Sequence, residues 1–355
     1  MSNKVIVTNT TNPRRAELPW LRVKVRKSLD DICHTMELEL PPSGRGMVRK
    51  HDRIQVHLEN PLLSTYGRHL VATIMVDEVV ISADASSHGI VVLGRSAARD
   101  IIDSTWSGWS WPHVYDEEGR RIATPVTFAT LVRNIVRREF GWENNMVATF
   151  PLNDPTGEVG YFAWNAESPW PKLITEADAQ GFMITSSATG GLFIWRPASG
   201  EREERFSIDE SRNVRSIEWR ENGAEQFHRY VVKSNFAQAE VFDNECNTRR
   251  VLTIDVAREG VHPDHLARRA RTEMLRRREI RTAVTVPGWG LADPEIRRLG
   301  NTAQREITWS PNFIVPVTIP SMGISRSLLI AEVEHEADAR TMQSTIALVR
   351  REAVL

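Results

Sequence analysis

Short runs in which apolar and polar residues alternate are the feature that most constrains this chain. LRVKVRK (21–27), TMELELP (35–41), RIQVHLE (53–59) and GIVVLGR (89–95) all follow a period of two. Successive side chains on a strand point to opposite faces, so each run reads as a strand with one face in a core and the other face polar. Turn formers separate them, as in PPSGRG (41–46) and SADASSHG (82–89). LVATIMVDEVVIS (70–82) reads as a longer strand with a bend or bulge. Residues 1–103 are therefore expected to form a small barrel or sandwich.

The pattern changes after IIDSTW (101–106). TFATLVRNIVRREFG (127–141) sets Phe128, Leu131, Ile135 and Val136 near one helical face, with Thr127 as N-cap and Gly141 just past the end. SPWPKLITEADAQGF (168–182) offers a second helix opened by Ser168 and a proline, and FMITSSATGGLFIWRP (182–197) reads as two strands around a Gly-Gly turn. Residues 104–200 are expected to form a small α+β domain. A charged link, ASGEREERFSID (198–209), leads to strand-like NVRSIEW (213–219), RYVVKSN (229–235) and RRVLTIDV (249–256). A basic helix follows at 263–281, then RTAVTVPG, REITW, FIVPVTIP and a terminal hairpin, LLIAEVEHEADARTMQSTIALVR, turning at ADAR. The third expected unit is a second barrel-like domain, 239–355, which includes that helix; strands of 201–238 are available to complete the first.

Forty-five Lys and Arg against 46 Asp and Glu leave a net charge of −1, which argues against nucleic-acid binding over the whole surface. Cys33 and Cys246 are too few for a disulfide scaffold or a thiolate cluster and read as buried free thiols. The N-terminal stretch lacks a signal-peptide core, and no run approaches 18 consecutive apolar residues, so cytoplasmic synthesis without membrane insertion is expected. Eleven Trp suit either rigid interface contacts or core packing.

Constellations that could carry chemistry are weak. His262 and His265 straddle a helix start, His51 and His57 lie six apart, and His335 sits between Glu334 and Glu336; none matches the H-E-x-x-H geometry of a metal-bound hydrolase. Asp77-Glu78, Asp116-Glu117-Glu118 and Glu176-Asp178 read as solvated carboxylates, and Cys33-His34 is no dyad because neighbouring strand side chains diverge. There is no G-x-S-x-G elbow, P-loop or dinucleotide glycine pattern. The expectation is no catalytic residue, no metal and no cofactor. Two surface features remain. Trp106, Trp109 and Trp111 form an aromatic cluster suited to a domain seam, a partner or a sugar. Residues 258–281 hold eight Arg against four acids, read as a solvated or subunit-facing helix whose Leu266, Ala270, Met274 and Leu275 pack on the β domain.

Taken in order, TMELELP, VVLGRSAARDIIDST, TFATLVRNIVRREFG, the helix–hairpin at 168–197, RYVVKSN, VTVPGW and WSPNFIVPVTIPSMGISRSLLIAEVEHEADARTMQSTIALVR resemble the baseplate hub proteins of Mu-like contractile-tailed phages. That family is related to the late control gene D proteins and to the hub part of type VI secretion spikes. The resemblance spans nearly the whole chain. It implies a mainly β fold with an α+β insertion, in which two related barrel-like tube domains per subunit form a pseudo-sixfold ring in a homotrimer. The implied partners are a central spike, tail tube and tube-initiator proteins and baseplate wedge proteins, with transient DNA passage through the channel and a location in the virion baseplate. Gly288-Trp289 and Trp309-Ser310-Pro311-Asn312 match framework segments of the family and imply folding roles. Some relatives carry a fused cell-wall hydrolase, and this chain has no segment left over for one. A carbohydrate-active or peptidoglycan-hydrolysing tail component and the hub of a contractile bacteriocin are the alternative readings.

Overall fold

The computed structural model describes residues 3–60, 68–83, 88–105, 109–111, 114–115, 121–122, 126–142, 146–150, 158–159, 162–164, 168–180, 182–195, 206–220, 223–255, 263–278, 281–290 and 307–351. The first part contains β1 (Lys4–Asn9), β2 (Arg22–Ser28), β3 (Thr35–Leu40), β4 (Arg53–Glu59), β5 (Arg68–Ala83), β6 (His88–Arg95) and a short helix α1 (Arg99–Asp103). The middle holds β7 (Trp109–Trp111), α2 (Phe128–Phe140), β8 (Val147–Phe150), β9 (Phe162–Trp164), α3 (Trp170–Gln180), β10 (Met183–Ser186) and β11 (Leu192–Trp195). After it come β12 (Ser216–Arg220), β13 (Arg229–Lys233), β14 (Gln238–Phe242), β15 (Val251–Asp255), α4 (Pro263–Arg278), β16 (Arg281–Pro287), β17 (Ile314–Ile319), β18 (Ile324–Asp338) and β19 (Met342–Val349).

Strands from both ends of the chain join in one antiparallel sheet, in the order β12–β16–β19–β18–β2–β3–β6–β5–β4–β1. β18 makes the join. Its residues 324–329 pair with β17 and 332–338 pair with β2, with an irregularity between Ile330 and Glu332. The alternating apolar residues supply one shared core: Val23, Val25, Leu38, Val56 and Val92 from the first part meet Val284, Val333, Ile346 and Leu348 from the last. Each fully buried aliphatic side chain of this kind contributes about 1.5–3 kcal/mol, which is why the alternation dictates which face turns inward. The long strand at 70–82 is irregular as its sequence suggests. β5 shifts register opposite β4 between Val56 and His57 and opposite β6 between Val76 and Glu78. Gly94 lies at the second shift, where an added Cβ would come 2.5 Å from the Met75 carbonyl oxygen.

Local signals in the middle section act as read. The Thr127 side chain accepts the Thr130 N–H at 3.3 Å to open α2, and Gly141, with φ +65°, closes it in the left-handed conformation. Ser168 accepts the Trp170 N–H at 3.3 Å at the start of α3 and donates to the Ile101 carbonyl at 2.9 Å, tying the helix to α1. α2, α3 and the β8–β11–β10 sheet enclose a second core that also takes in Ile32, Cys33, Ala98 and Ile101. A third sheet, β14–β13–β15, is covered on one side by α4.

Candidate assembly surface

The side of the main sheet opposite the core is a single polar face that crosses both ends of the chain. Arg22, Lys24 and Arg26 of β2 stand opposite Asp338, Glu336 and Glu334 of β18, and on the other side opposite Glu39, Glu37 and Thr35 of β3; each reaches diagonally for its ion pair, to Glu336, Glu334 and Glu332. Thr345 and Gln343 of β19 extend it one way, and Leu93 and Val91 of β6 the other. Direct cross-strand pairs of this kind fix register. Arg26 grips Glu332 at 2.7 and 2.8 Å and reaches Asp31 at 3.0 Å; Lys24 meets Glu334 at 3.0 Å; Arg22 lies 2.5 Å from Glu336 and 3.4 Å from Glu39. Burial pushes the Glu336 carboxyl up, but hydrogen bonds from Arg22 and Gln343 outweigh it and hold the group below its ordinary range. Half-exposed pairs of this type contribute at most about 1 kcal/mol each, so their main effect is specificity of pairing. Along this face carboxylates and basic side chains stand in nearly equal numbers, so its lysines and arginines are matched by carboxylates.

At the border with the middle section Arg95 bridges Asp77 at 2.8 Å and Asp103 at 2.6 Å, and Arg99 also binds Asp77. The Asp77 carboxylate of the Asp77-Glu78 pair is thus an anchor for α1. Glu176 is buried, and Asp178 accepts from Arg269 at 2.7 Å. Asp116, Glu117 and Glu118 lie outside the described residues.

No three His, Cys, Asp or Glu among the described residues come together as a metal site. His335 is fully buried, with one ring nitrogen 2.9 Å from the Ser344 hydroxyl and the other 3.1 Å from the Trp309 carbonyl oxygen. His51 is an exposed loop residue with φ +68°, while His57 is half-buried on β4. His262 falls outside the described residues, and the side chain of His265 is not described. Both cysteines are free and buried; burial pushes the Cys33 thiol up to about 11, leaving it neutral at physiological pH. No helix among the described residues is long and apolar enough to cross a membrane.

The basic helix α4 lays Leu266, Ala270 and Met274 on Tyr230, Val232, Leu252 and Ile254, so its apolar stripe covers the three-stranded sheet. Two of its arginines are spent within the chain. Arg269 binds Asp178 of α3 and, at 2.8 Å, Glu273; Arg277 also binds Glu273, at 3.2 Å, and sits over the Phe227 ring. Phosphate would have to displace these carboxylates. Trp106 lies outside the described residues; Trp109 and Trp111 belong to β7, in register with Trp164 and Phe162 of β9.

Gly288-Trp289 and Trp309–Asn312 converge beside the terminal hairpin. Trp289, fully buried, donates to the Glu336 carbonyl at 2.8 Å and lies with its ring 5.2 Å from His335. Ser344 donates to the Gly288 carbonyl at 2.8 Å, and Asn312, with φ +71°, donates its N–H to Ile330 at 2.9 Å. What sequence reading missed is the polar face. Its rows are written in the alternation of β2, β3 and β18, but the pairing of residue 22 with residue 336 has no local signal.

A large antiparallel sheet with one face in a shared core and ion-paired rows on the other, interrupted by a helical section, makes a mainly β scaffold. No family model matches the sequence. The chain is similar to the baseplate hub protein gp44 of Escherichia phage Mu, with 23% identity over 363 residues, covering 95% of this chain and 86% of that protein. Its fold is shared with the 43 kDa tail protein of prophage MuSo2 from Shewanella oneidensis, at a TM-score of 0.73 and 21% identity over 99% of both chains. It is also shared with a type VI secretion component of E. coli described as similar to the T4 tail proteins gp27 and gp5, at a TM-score of 0.56 and 9% identity, covering 99% of this chain and 77% of that one. The resemblance read from the sequence is therefore matched in both sequence and fold.

Proposed function

We propose that this chain is a structural baseplate hub of a contractile phage or prophage tail. Three copies close into a ring that joins the tail tube to the central spike and leaves a bore for DNA. In this reading residues 1–103 and 239–355 carry the two tube domains and residues 104–200 are the small α+β domain; the strands of 201–238, expected to complete the first tube domain, pair instead with strands of the second, β12 with β16 and β13 with β15. The observation that carries the reading is the likeness to the Mu baseplate hub protein, which runs through 95% of the chain. The polar face supports it: a sheet covered on one side by core, with Arg22, Lys24 and Arg26 on the other held by glutamates, suits a bore that DNA must pass without sticking, because free Lys and Arg contacts to phosphate would slow transit. The arginines of 268–281 face a neighbour or the outside, in keeping with α4 being packed on the β14–β13–β15 sheet and with Arg269 and Arg277 bound to carboxylates. The role is mechanical, and no catalytic step is assigned. Spike, tube, tube-initiator and wedge proteins are the partners, and the virion baseplate is the location.

Light scattering over a dilution series tests this. Three chains of 40.3 kDa give a particle of about 121 kDa (3 × 40.3), and negative-stain images should show a central opening. A monomer that neither assembles nor captures a tube or spike protein would overturn the reading.

A further inference from the structure

The main sheet has two stretches of strand edge, the end strand β12 and the overhanging second half of β5, with a strand neighbour on one side only among the described residues. β12 pairs with β16 alone. β5 overruns β4, which covers it only from Arg68 to Met75; His51 and Asp52 then bond the main chain of Val76 at 2.8 Å each. Among the described residues, β6 is the only strand beside β5 from Glu78 onward. Both edges carry apolar side chains in water: Val80 is 41% exposed, Ile81 53% and Trp219 44%. Open edges of this composition are templates for strand addition unless something covers them.

The two edges fit each other. From β12 to β5 the sheet runs through eight strands, β12–β16–β19–β18–β2–β3–β6–β5, with every pair antiparallel, so β5 and β12 run in opposite directions. A second copy can therefore lay its β12 antiparallel to β5 while keeping its polar face on the same side. Set Glu78 opposite Arg220. Glu78, Val80 and Ser82, which are in line with Leu93, Val91 and Gly89 of the polar face, then meet Arg220, Glu218 and Ser216. On the core side Val79 and Ile81 meet Trp219 and Ile217. Val79 and Ile217 already pack against the same main core from its two sides. The register thus matches apolar with apolar, serine with serine, and at its end a carboxylate with a guanidinium; Val80 lies along the stem of Glu218.

We propose that β12 of one copy adds to β5 of the next, with Glu78 facing Arg220, making the polar face continuous from copy to copy. The seam rests on the ring reading above. It uses different patches on the two partners, so it closes only if the rotation per copy closes the circle.

The test is a chain carrying Glu78→Cys and Arg220→Cys. Opposed Cα atoms in an antiparallel pair lie about 4.5–5.5 Å apart, inside the disulfide range. Both positions are exposed, so folding is preserved, and circular dichroism checks it. Mild oxidation should give covalent dimers and closed trimers on a non-reducing gel, while the parent chain, with both thiols buried, stays at one-chain mass. In parallel, Glu78→Arg should raise the dissociation concentration roughly tenfold by removing attraction and adding repulsion at the seam, and adding Arg220→Glu should restore it. A particle of three-chain mass with no interchain cross-link overturns the seam and leaves the ring reading standing. A monomer at every concentration overturns the seam, and one that also captures no tube or spike protein overturns the ring reading with it; a cross-link within one chain overturns the seam.

Discussion

At the scale of single residues, the groups that matter most are buried polar ones with several partners. Asp52 is 1% exposed and accepts from Asn9 at 2.9 Å, from the Arg49 N–H at 2.9 Å and from Arg14 at 2.9 and 2.5 Å, pinning the segment after β1 to the turn before β4. Burial alone would raise its pKa, but these donors prevail and hold the carboxyl below its ordinary range. A group whose folded pKa is depressed stabilises the fold above its unfolded value near 4 and loses that contribution as pH falls through the folded value. Asp52→Asn should therefore cost about 2–4 kcal/mol in urea unfolding at pH 7. It should also flatten the decline in stability below about pH 4; an unchanged acid slope would show that Asp52 is not a source of it. Gly290 fails for a different reason. An added Cβ would lie 1.9 Å from the Ile307 carbonyl oxygen, against the bridge to Thr308 that holds the Trp289 segment. Gly290→Ala should lower stability by more than about 2 kcal/mol, read by thermal unfolding, whereas Gly141→Asn, at an open left-handed position, should cost far less.

At the scale of elements, much was legible because the signals are local. Alternation placed β2, β3, β4 and β19, and the Thr127 cap and Gly141 set the ends of α2. The terminal hairpin turns at Asp338, whose carboxylate accepts the N–H groups of Arg340 and Thr341 at 2.7 Å each. Hidden from the sequence was the dual use of β18: a continuous strand pattern does not say that its first half belongs with β17 and its second with β2, where the ion pairs Arg26–Glu332 and Arg22–Glu336 join residues 306 and 314 apart along the chain. The stripe of α4 was legible, but its sheet was not, since β13, β14 and β15 are short strands with no marker of common membership. Leu266 is 1% exposed against that sheet, so Leu266→Ala should cost about 2–5 kcal/mol. Its effect should concentrate in residues 227–278, seen as faster amide exchange there than in β2 or β3. Uniform loss of protection would mean that α4 and its sheet unfold only with the main sheet.

At the scale of the whole molecule, the polar face connects fold and proposed role, because the strands that bury the shared core necessarily turn the same ion-paired rows outward. Facing the bore of a ring, those rows would offer phosphate only cations already bound to carboxylates; facing the outside, they would be an ordinary solvated surface. Reversing charge on the face separates the two arrangements. A chain with Glu37→Lys and Glu39→Lys changes two half-buried face residues on β3 without touching either strand edge. A control with Glu225→Lys and Asp255→Lys changes residues near the three-stranded sheet instead. Both should gain DNA affinity that falls steeply with added salt, since each new lysine able to reach phosphate releases counterions. Topology then distinguishes them. If the face lines a bore, the β3 variant should retain linear duplex DNA, which can thread the ring, and release covalently closed circles, which cannot, while the control binds both alike. Equal retention of circles by the β3 variant would place the face on the outside and require a different surface for the channel.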